Sequence, residues 1–292
     1  MSLVIIYPCM YGKLLEVEPD YKFEKEIAEE LGFDIYNVNF DDFVNGSKLK
    51  VSYGGPKTDT VVTAIYRGWM LTLEQYTRFY NELLKYNIKL INTPTEYRNT
   101  HYYPYSANIL SKVAPKTIWF PKGQEIDWKI VRKTFNGKFI VKDYVKSVKG
   151  FDFPDYLEVS MTDEELDKYV SKFIDYRGHL YQGGIVFKEY IELAKSRNKT
   201  HEFRAFYDGQ QRLCVYNNSD NKEDFLPDNI TKLYILSHLN SNFYTVDTAR
   251  LTDGSYMVIE IGDGQVSGLP SEKEARMLYE KLKEVYEFDS SK

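Results

Sequence analysis

The chain has 292 residues, enough for one large domain or two to three small ones with a sizeable core. Its 43% hydrophobic and 28% charged content is that of a folded globular protein rather than a disordered one. A net charge of -5 and a pI near 5.6 argue against a protein that works by coating nucleic acid, and no apolar run approaches the length of a membrane span.

Cys9 and Cys214 are the only cysteines, so neither a disulfide framework nor a paired-cysteine zinc motif is expected. The four histidines show no metal-ligand spacing, and no basic region precedes the short apolar run at the N-terminus. These features point to a cytoplasmic protein with no membrane partner.

Leu3-Val-Ile-Ile-Tyr-Pro8 suits a strand buried on both faces; Phe23–Leu31 is an amphipathic helix ending at Gly32, and Phe33–Val38 alternates as a second strand. A strand over Val61–Tyr66, a helix over Leu73–Lys85 and a strand over Lys89–Asn92 complete a small open α/β unit. Ligands bind beyond the carboxyl ends of strands in such sheets. Arg67 stands at one of those ends, as a holder of an anionic substrate group or as half of a structural salt bridge.

Residues from Tyr97 to Val113 read as helix after Pro104, and the Pro115–Pro121 region reads as a boundary. A helix over Asp127–Phe135, a strand over Lys138–Asp143, and a helix opened by the capping box Thr162-Asp-Glu-Glu165 follow. A strand over Gly184–Ile191 leads to a hairpin, Glu202–Tyr207 and Arg212–Tyr216, around Asp208-Gly209. A helix over Asn229–Leu239, a second hairpin around Asp253-Gly254, and a helix from Ser271 to about Glu287 close the chain.

The second hairpin bears the strongest chemical signal. If Asp253-Gly254 is a two-residue loop, Thr252 pairs with Ser255 and Asp247 falls opposite Glu260. Like charges directly opposed on one face are destabilising without a cation between them. Magnesium suits such a pair, because it takes one or two carboxylates and completes its shell with phosphate oxygens. The alternatives are exposure to water at a sheet end, or neutralisation by Arg204 or Arg250.

Lys142 lies in an apolar strand, and a buried ammonium needs an acceptor, either a nucleotide phosphate or a carboxylate. The strand runs into Lys146-Ser147-Val148-Lys149-Gly150, whose cations, hydroxyl and glycine can cradle phosphates. Glu202 and Arg204, two apart, share a strand face. They form either a cross-strand ion pair or a ribose acceptor beside a phosphoryl-steadying arginine.

The order of these motifs resembles the ATP-grasp superfamily. That resemblance implies an N-terminal α/β domain at residues 1–112, then a two-subdomain α+β ATP-grasp fold, with a lid at 113–188 and a C-terminal subdomain at 189–292. It implies ATP and magnesium as cofactors. Lys142 and the loop from Ser147 to Gly150 would contact phosphates, Glu189-Tyr190-Ile191 would form the adenine hinge, Glu202 would hold the ribose, and Asp247 and Glu260 would hold the metal. Tyr66-Arg-Gly-Trp-Met70 and Glu260-Ile-Gly-Asp-Gly-Gln265 are similar to a bacterial and phage branch named for one arginine and two lysines, for which Arg67, Lys142 and Lys146 are candidates.

One departure stands out. The superfamily usually has Asn two residues after the second acid, where this chain has Gly262. Asp263 takes over as a metal ligand only if the strand ends at Ile261. The family's second lysine has no clear counterpart, Arg98 and His101 being the nearest. The resemblance implies an ATP-dependent carboxylate–amine ligase acting through an acyl phosphate on small-molecule or peptide substrates, with Arg204 or Arg67 helping to neutralise charge. A small-molecule kinase or a nucleotide-binding module without turnover are the alternatives.

Overall fold

In the computed structural model, residues 3–52, 60–148, 152–219 and 238–289 are described. Strands β1 (Leu3–Met10), β3 (Asp34–Val38), β4 (Val62–Tyr66) and β5 (Ile88–Leu90) form a parallel sheet in the order β3-β1-β4-β5. Strand β2 (Lys13–Val17) turns back antiparallel on the end of β1, a hairpin not expected from its charged sequence. Helices α1 (Lys22–Glu30), α2 (Phe40–Val44) and α3 (Leu73–Leu84) cross between the strands. A full capping box, Thr72 with Gln75, starts α3.

The expected helix across 97–113 is two helices, α4 (Pro94–His101) and α5 (Tyr103–Leu110), which break at Tyr102. Pro104 stands in the first turn of α5, where its missing N–H costs nothing.

The region expected to be a boundary contains an edge strand, β6 (Thr117–Pro121). It joins β9 (Gly184–Glu189), β7 (Lys138–Asp143) and β8 (Leu157–Glu158) in an antiparallel sheet ordered β6-β9-β7-β8. Helices α6 (Trp128–Thr134) and α7 (Asp163–Arg177) cover one face, where Phe120, Val131, Phe139, Val141, Phe173 and Phe187 are buried in one core.

After the short ribbon β10 (Lys195–Ser196) and β11 (Lys199–Thr200), a second antiparallel sheet follows in the order β13-β12-β14-β15. Its strands are β12 (Glu202–Asp208), β13 (Gln211–Asn217), β14 (Phe243–Arg250) and β15 (Tyr256–Asp263). The helix expected over Asn229–Leu239 lies almost wholly outside the described residues. The final helix, α8 (Glu272–Asp289), packs against α1, and Ala275, Leu278 and Tyr279 share a core with Ile5 and Tyr7 of β1 and Phe206 of β12. The N-terminal sheet and the last sheet are thus joined by one core, while the middle sheet has its own. The mixed α/β and α+β architecture matches the expected fold class.

Candidate active site

Asp247 and Glu260 are directly opposed across β14 and β15, as the sequence suggests, but the turn differs from the expected one. The loop has three residues: Leu251 N–H donates to the Ser255 carbonyl at 2.8 Å, and Gly254 has φ 86. This is the three-residue hairpin that ends in a left-handed glycine. It shifts the register by one, pairing Thr248 with Val258, and a bulge before Glu260 shifts it back. The predicted pairing stands because two departures offset one another.

Across the sheet, Tyr216, Arg204, Asp247 and Glu260 lie in one row. Arg204 grips Asp247 bidentately, Nε to Oδ1 at 2.8 Å and Nη2 to Oδ2 at 2.7 Å. Burial pushes the Asp247 carboxyl up, but both oxygens accept from Arg204, which holds it as the carboxylate. The expected alternative, neutralisation by Arg204, is therefore realised for this acid. Asn218, not singled out from sequence, points Nδ2 at Asp247 Oδ2 from 3.5 Å.

Opposite this row stands the inner face of the lid sheet. Ile140 pairs with Lys188 and Lys142 with Val186, so alternation places both lysines on the face away from Phe139, Val141 and Phe187. Lys142 Nζ reaches Glu260 Oε1 at 2.5 Å, and Lys188 Nζ donates to the Ile259 carbonyl. Burial alone would raise Glu260, but Lys142, Lys146 and Lys188 hold it down, to about 2. Burial lowers Lys188 to about 8, with Lys142 adding to the effect and Glu260, Asp247 and Glu202 opposing it. Lys188 was missed in the sequence, although the feature that marks Lys142, a lysine inside an apolar run, recurs in Ile185-Val-Phe-Lys188.

The turn after β7 is built by Asp143, whose Oδ1 accepts from the N–H groups of Val145 and Lys146, both at 2.7 Å. It folds Ser147 back to bridge Lys142 and sets Lys146 beside Glu260. Lys149 and Gly150 lie outside the described residues. Glu189 ends β9, and the Tyr190 N–H donates to the Lys138 carbonyl at 3.0 Å, so that hinge donor is already engaged. The Tyr190 ring packs on Tyr156 with centroids 4.9 Å apart, and Ile191 follows directly. Glu202 Oε1 accepts from Thr200 Oγ1 at 2.5 Å. His101, buried against Tyr97, has no partner for Nε2; burial and the charge of Lys146 lower it to about 3, leaving a neutral imidazole.

Two expected residues stand elsewhere. Arg67 is 1% exposed, with Nε and Nη2 on Glu24 at 2.9 and 3.0 Å and Nη1 on the Gly264 carbonyl. Of its two sequence readings, the geometry realises the salt bridge rather than an open anion site. Asp263 does not join the acids, because β15 continues through it, pairing it with Tyr244 and turning its side chain to the opposite face. There it accepts from Asn92 Nδ2 at 2.6 Å and Gln265 N at 2.9 Å. Gly262 keeps its place on the acid face because a Cβ there would lie 2.9 Å from Thr245 Oγ1 and 3.3 Å from Ser267 Oγ.

Among the described residues, no cluster of three or more His, Cys, Asp or Glu could hold a metal ion. The chemistry of the donor set fits one hard cation shared by Asp247 and Glu260 and completed by phosphate oxygens. Among the described residues, no helix is long and apolar enough to cross a membrane.

No curated protein matches the chain in sequence. The D-alanine–D-alanine ligase from Bacillus anthracis, solved with ATP, superposes with a TM-score of 0.58 at 13% identity, covering 100% of both chains. The RimK domain ATP-grasp protein of Sphaerobacter thermophilus DSM 20745 gives 0.58 at 14%, covering 96% of this chain and 99% of that one. The macrocyclase MdnC of Microcystis aeruginosa MRC, bound with its precursor peptide MdnA, gives 0.58 at 14%, covering 97% and 100%. Such identities speak for the fold alone. A sequence profile of the ATP-grasp domain, family 3 of the clade whose name abbreviates arginine and two lysines, matches residues 126–282. That span is more than half of the chain and holds every side chain of the facing rows. The chain is therefore an ATP-grasp protein and a member of that clade.

Proposed function

We propose that the chain is an ATP- and magnesium-dependent ligase that joins a carboxylate to an amine. The observation that carries this reading is the cleft itself: Asp247, Glu260 and Arg204 on one sheet face Lys142 and Lys188 on the other. Three cations and two acids converging there suit a triphosphate with a divalent ion. Magnesium on Asp247 and Glu260 would supply charge neutralisation at the phosphates. Release of Glu260 by Lys142 frees that ammonium for a phosphate oxygen, while Glu202, Glu189, Tyr190 and Ile191 border the remainder of the nucleotide, and Lys146 and Ser147 cover it.

The substrate carboxylate oxygen attacks the γ-phosphorus, breaking its bond to the bridging oxygen and releasing ADP. The amine nitrogen then attacks the carbonyl carbon of the acyl phosphate, expelling inorganic phosphate and losing a proton to solvent. Positioning and electrostatics carry such a transfer, with Arg204 the candidate for steadying the phosphoryl group, and no side-chain nucleophile is needed. The structural relatives that act on D-alanine or hold a precursor peptide favour amino-acid or peptide substrates.

The test is a product screen over amino acids and peptides. A ligase yields amide, ADP and free phosphate in equal amounts; a kinase yields a phosphorylated product without free phosphate. Asp247→Asn and Glu260→Gln are each expected to lower turnover by about 100-fold or more, the scale of losing a transition-state electrostatic partner. Full activity in both variants would remove the metal assignment.

A further inference from the structure

The three-residue turn alone would place Asp247 opposite Ile259, with Glu260 on the wrong face of β15. The pairing Arg250–Tyr256, Ala249–Met257 and Thr248–Val258 runs straight toward that outcome. The bulge sets Ile259 aside and delivers Glu260 to the acid row, so the acid pair exists only while the bulge does. A bulged residue is left unpaired in the ladder, and an unsatisfied buried carbonyl opposes such a conformation. Here the Ile259 carbonyl has a partner from another sheet: the ammonium of Lys188, 7% exposed, on β9.

We propose that Lys188 is a positioning residue that fixes the β15 bulge through the Ile259 carbonyl and thereby sets Glu260 opposite Asp247. It does not touch the reacting atoms; it acts through the backbone of the strand bearing Glu260. The groups that surround it, Lys142 on β7, Glu260 on β15, Asp247 on β14 and Glu202 on β12, are those that bind or border the nucleotide in the ligase reading. Its metal-binding consequence rests on that reading, whereas its effect on the bulge does not.

Two measurements on the full chain separate the parts. Without nucleotide or metal, Lys188→Met is expected to speed amide hydrogen exchange in 257–261 by about tenfold or more while β12 and β13 keep their rates, since one charge-assisted hydrogen bond is lost. With a non-hydrolysable ATP analogue, manganese affinity read by electron paramagnetic resonance is expected to fall about tenfold, the scale of losing a group that orients a metal ligand. Metal-free affinity for the analogue is expected to change less than about threefold. Lys188→Arg, which keeps a donor, should stay near the parent in both.

Unchanged exchange in 257–261 overturns the proposal whatever the enzyme's reaction. So does a metal-free nucleotide affinity that falls as far as the manganese affinity, for the ammonium would then be a phosphate ligand. Should Lys188→Met fail to fold, Lys188→Gln carries the same comparison. Local exchange that responds while manganese does not bind the parent chain would sink the metal reading and leave the bulge assignment standing.

Discussion

Asp263 shows how far one side chain's fate depends on where a strand stops. Burial raises its carboxyl to about 7, against the hydrogen bonds from Asn92 and Gln265 that lower it. A carboxyl whose folded value lies above its unfolded value binds more protons when folded. Its contribution to stability is complete below about pH 4 and is lost as pH rises toward 7. Asp263→Asn should remove that slope, so unfolding midpoints in urea between pH 4 and 7 should vary less in the variant, even though its amide faces donors and lowers stability throughout. A variant retaining the parent's full slope would place the titration elsewhere.

Arg67 makes the companion case. The rule about carboxyl ends of parallel strands located it, but whether it faces substrate was decided by Glu24, 43 residues earlier on a separate helix. Nothing local in the sequence carries that information. Arg67→Met should cost about 3–5 kcal/mol by leaving Glu24 buried and unpaired, measurable by denaturant unfolding.

At the scale of elements, periodicity was readable wherever one face is buried. Strands β4, β7, β9 and β12–β15 and helices α3, α7 and α8 follow their apolar patterns closely. Strand β6 was not legible because Pro115 and Pro121 read as breakers, yet Pro121 ends an edge strand, where a missing ladder donor is tolerated. The acid pair was legible only in outcome, since neither the third loop residue nor the bulge can be counted from composition. Gly262 belongs at this scale too. Its strand runs beside the Thr245–Ser267 hydroxyl pair, 3.0 Å apart, which fills the space a side chain would need. Gly262→Asn, which would supply the superfamily's usual residue, should therefore destabilise by about 1–3 kcal/mol as an overpacked site does. Adding Thr245→Ala should recover most of the loss in thermal unfolding; no recovery would mean that the strain arises elsewhere.

The whole molecule divides by its cores rather than by its order in the chain. Tyr7 and Tyr279 share a 2.7 Å hydrogen bond, and Tyr279 in turn donates to Glu24, which holds Arg67. That buried network ties the first sheet to the last, whereas the lid core of Phe139, Phe173 and Phe187 stands apart. Within the cleft, Lys142–Glu260 and Lys188–Ile259 are the polar links across which the lid meets the acid strand. With nothing bound, the lysines neutralise the groups that metal and nucleotide would claim. Either ligand alone must break a pair and leave one charge behind, whereas both together replace every partner that is lost. Binding should consequently be synergistic: a non-hydrolysable ATP analogue and magnesium together should raise the melting temperature by more than the sum of their separate effects, as expected for a ligand that binds only the folded state. Hydrogen exchange should slow in β7 and β9 and remain unchanged in β1 and α8, whose shared core has no part in closure. Additive shifts, or protection spread evenly over both bodies, would mean that the lysine–acid pairs do not gate the cleft.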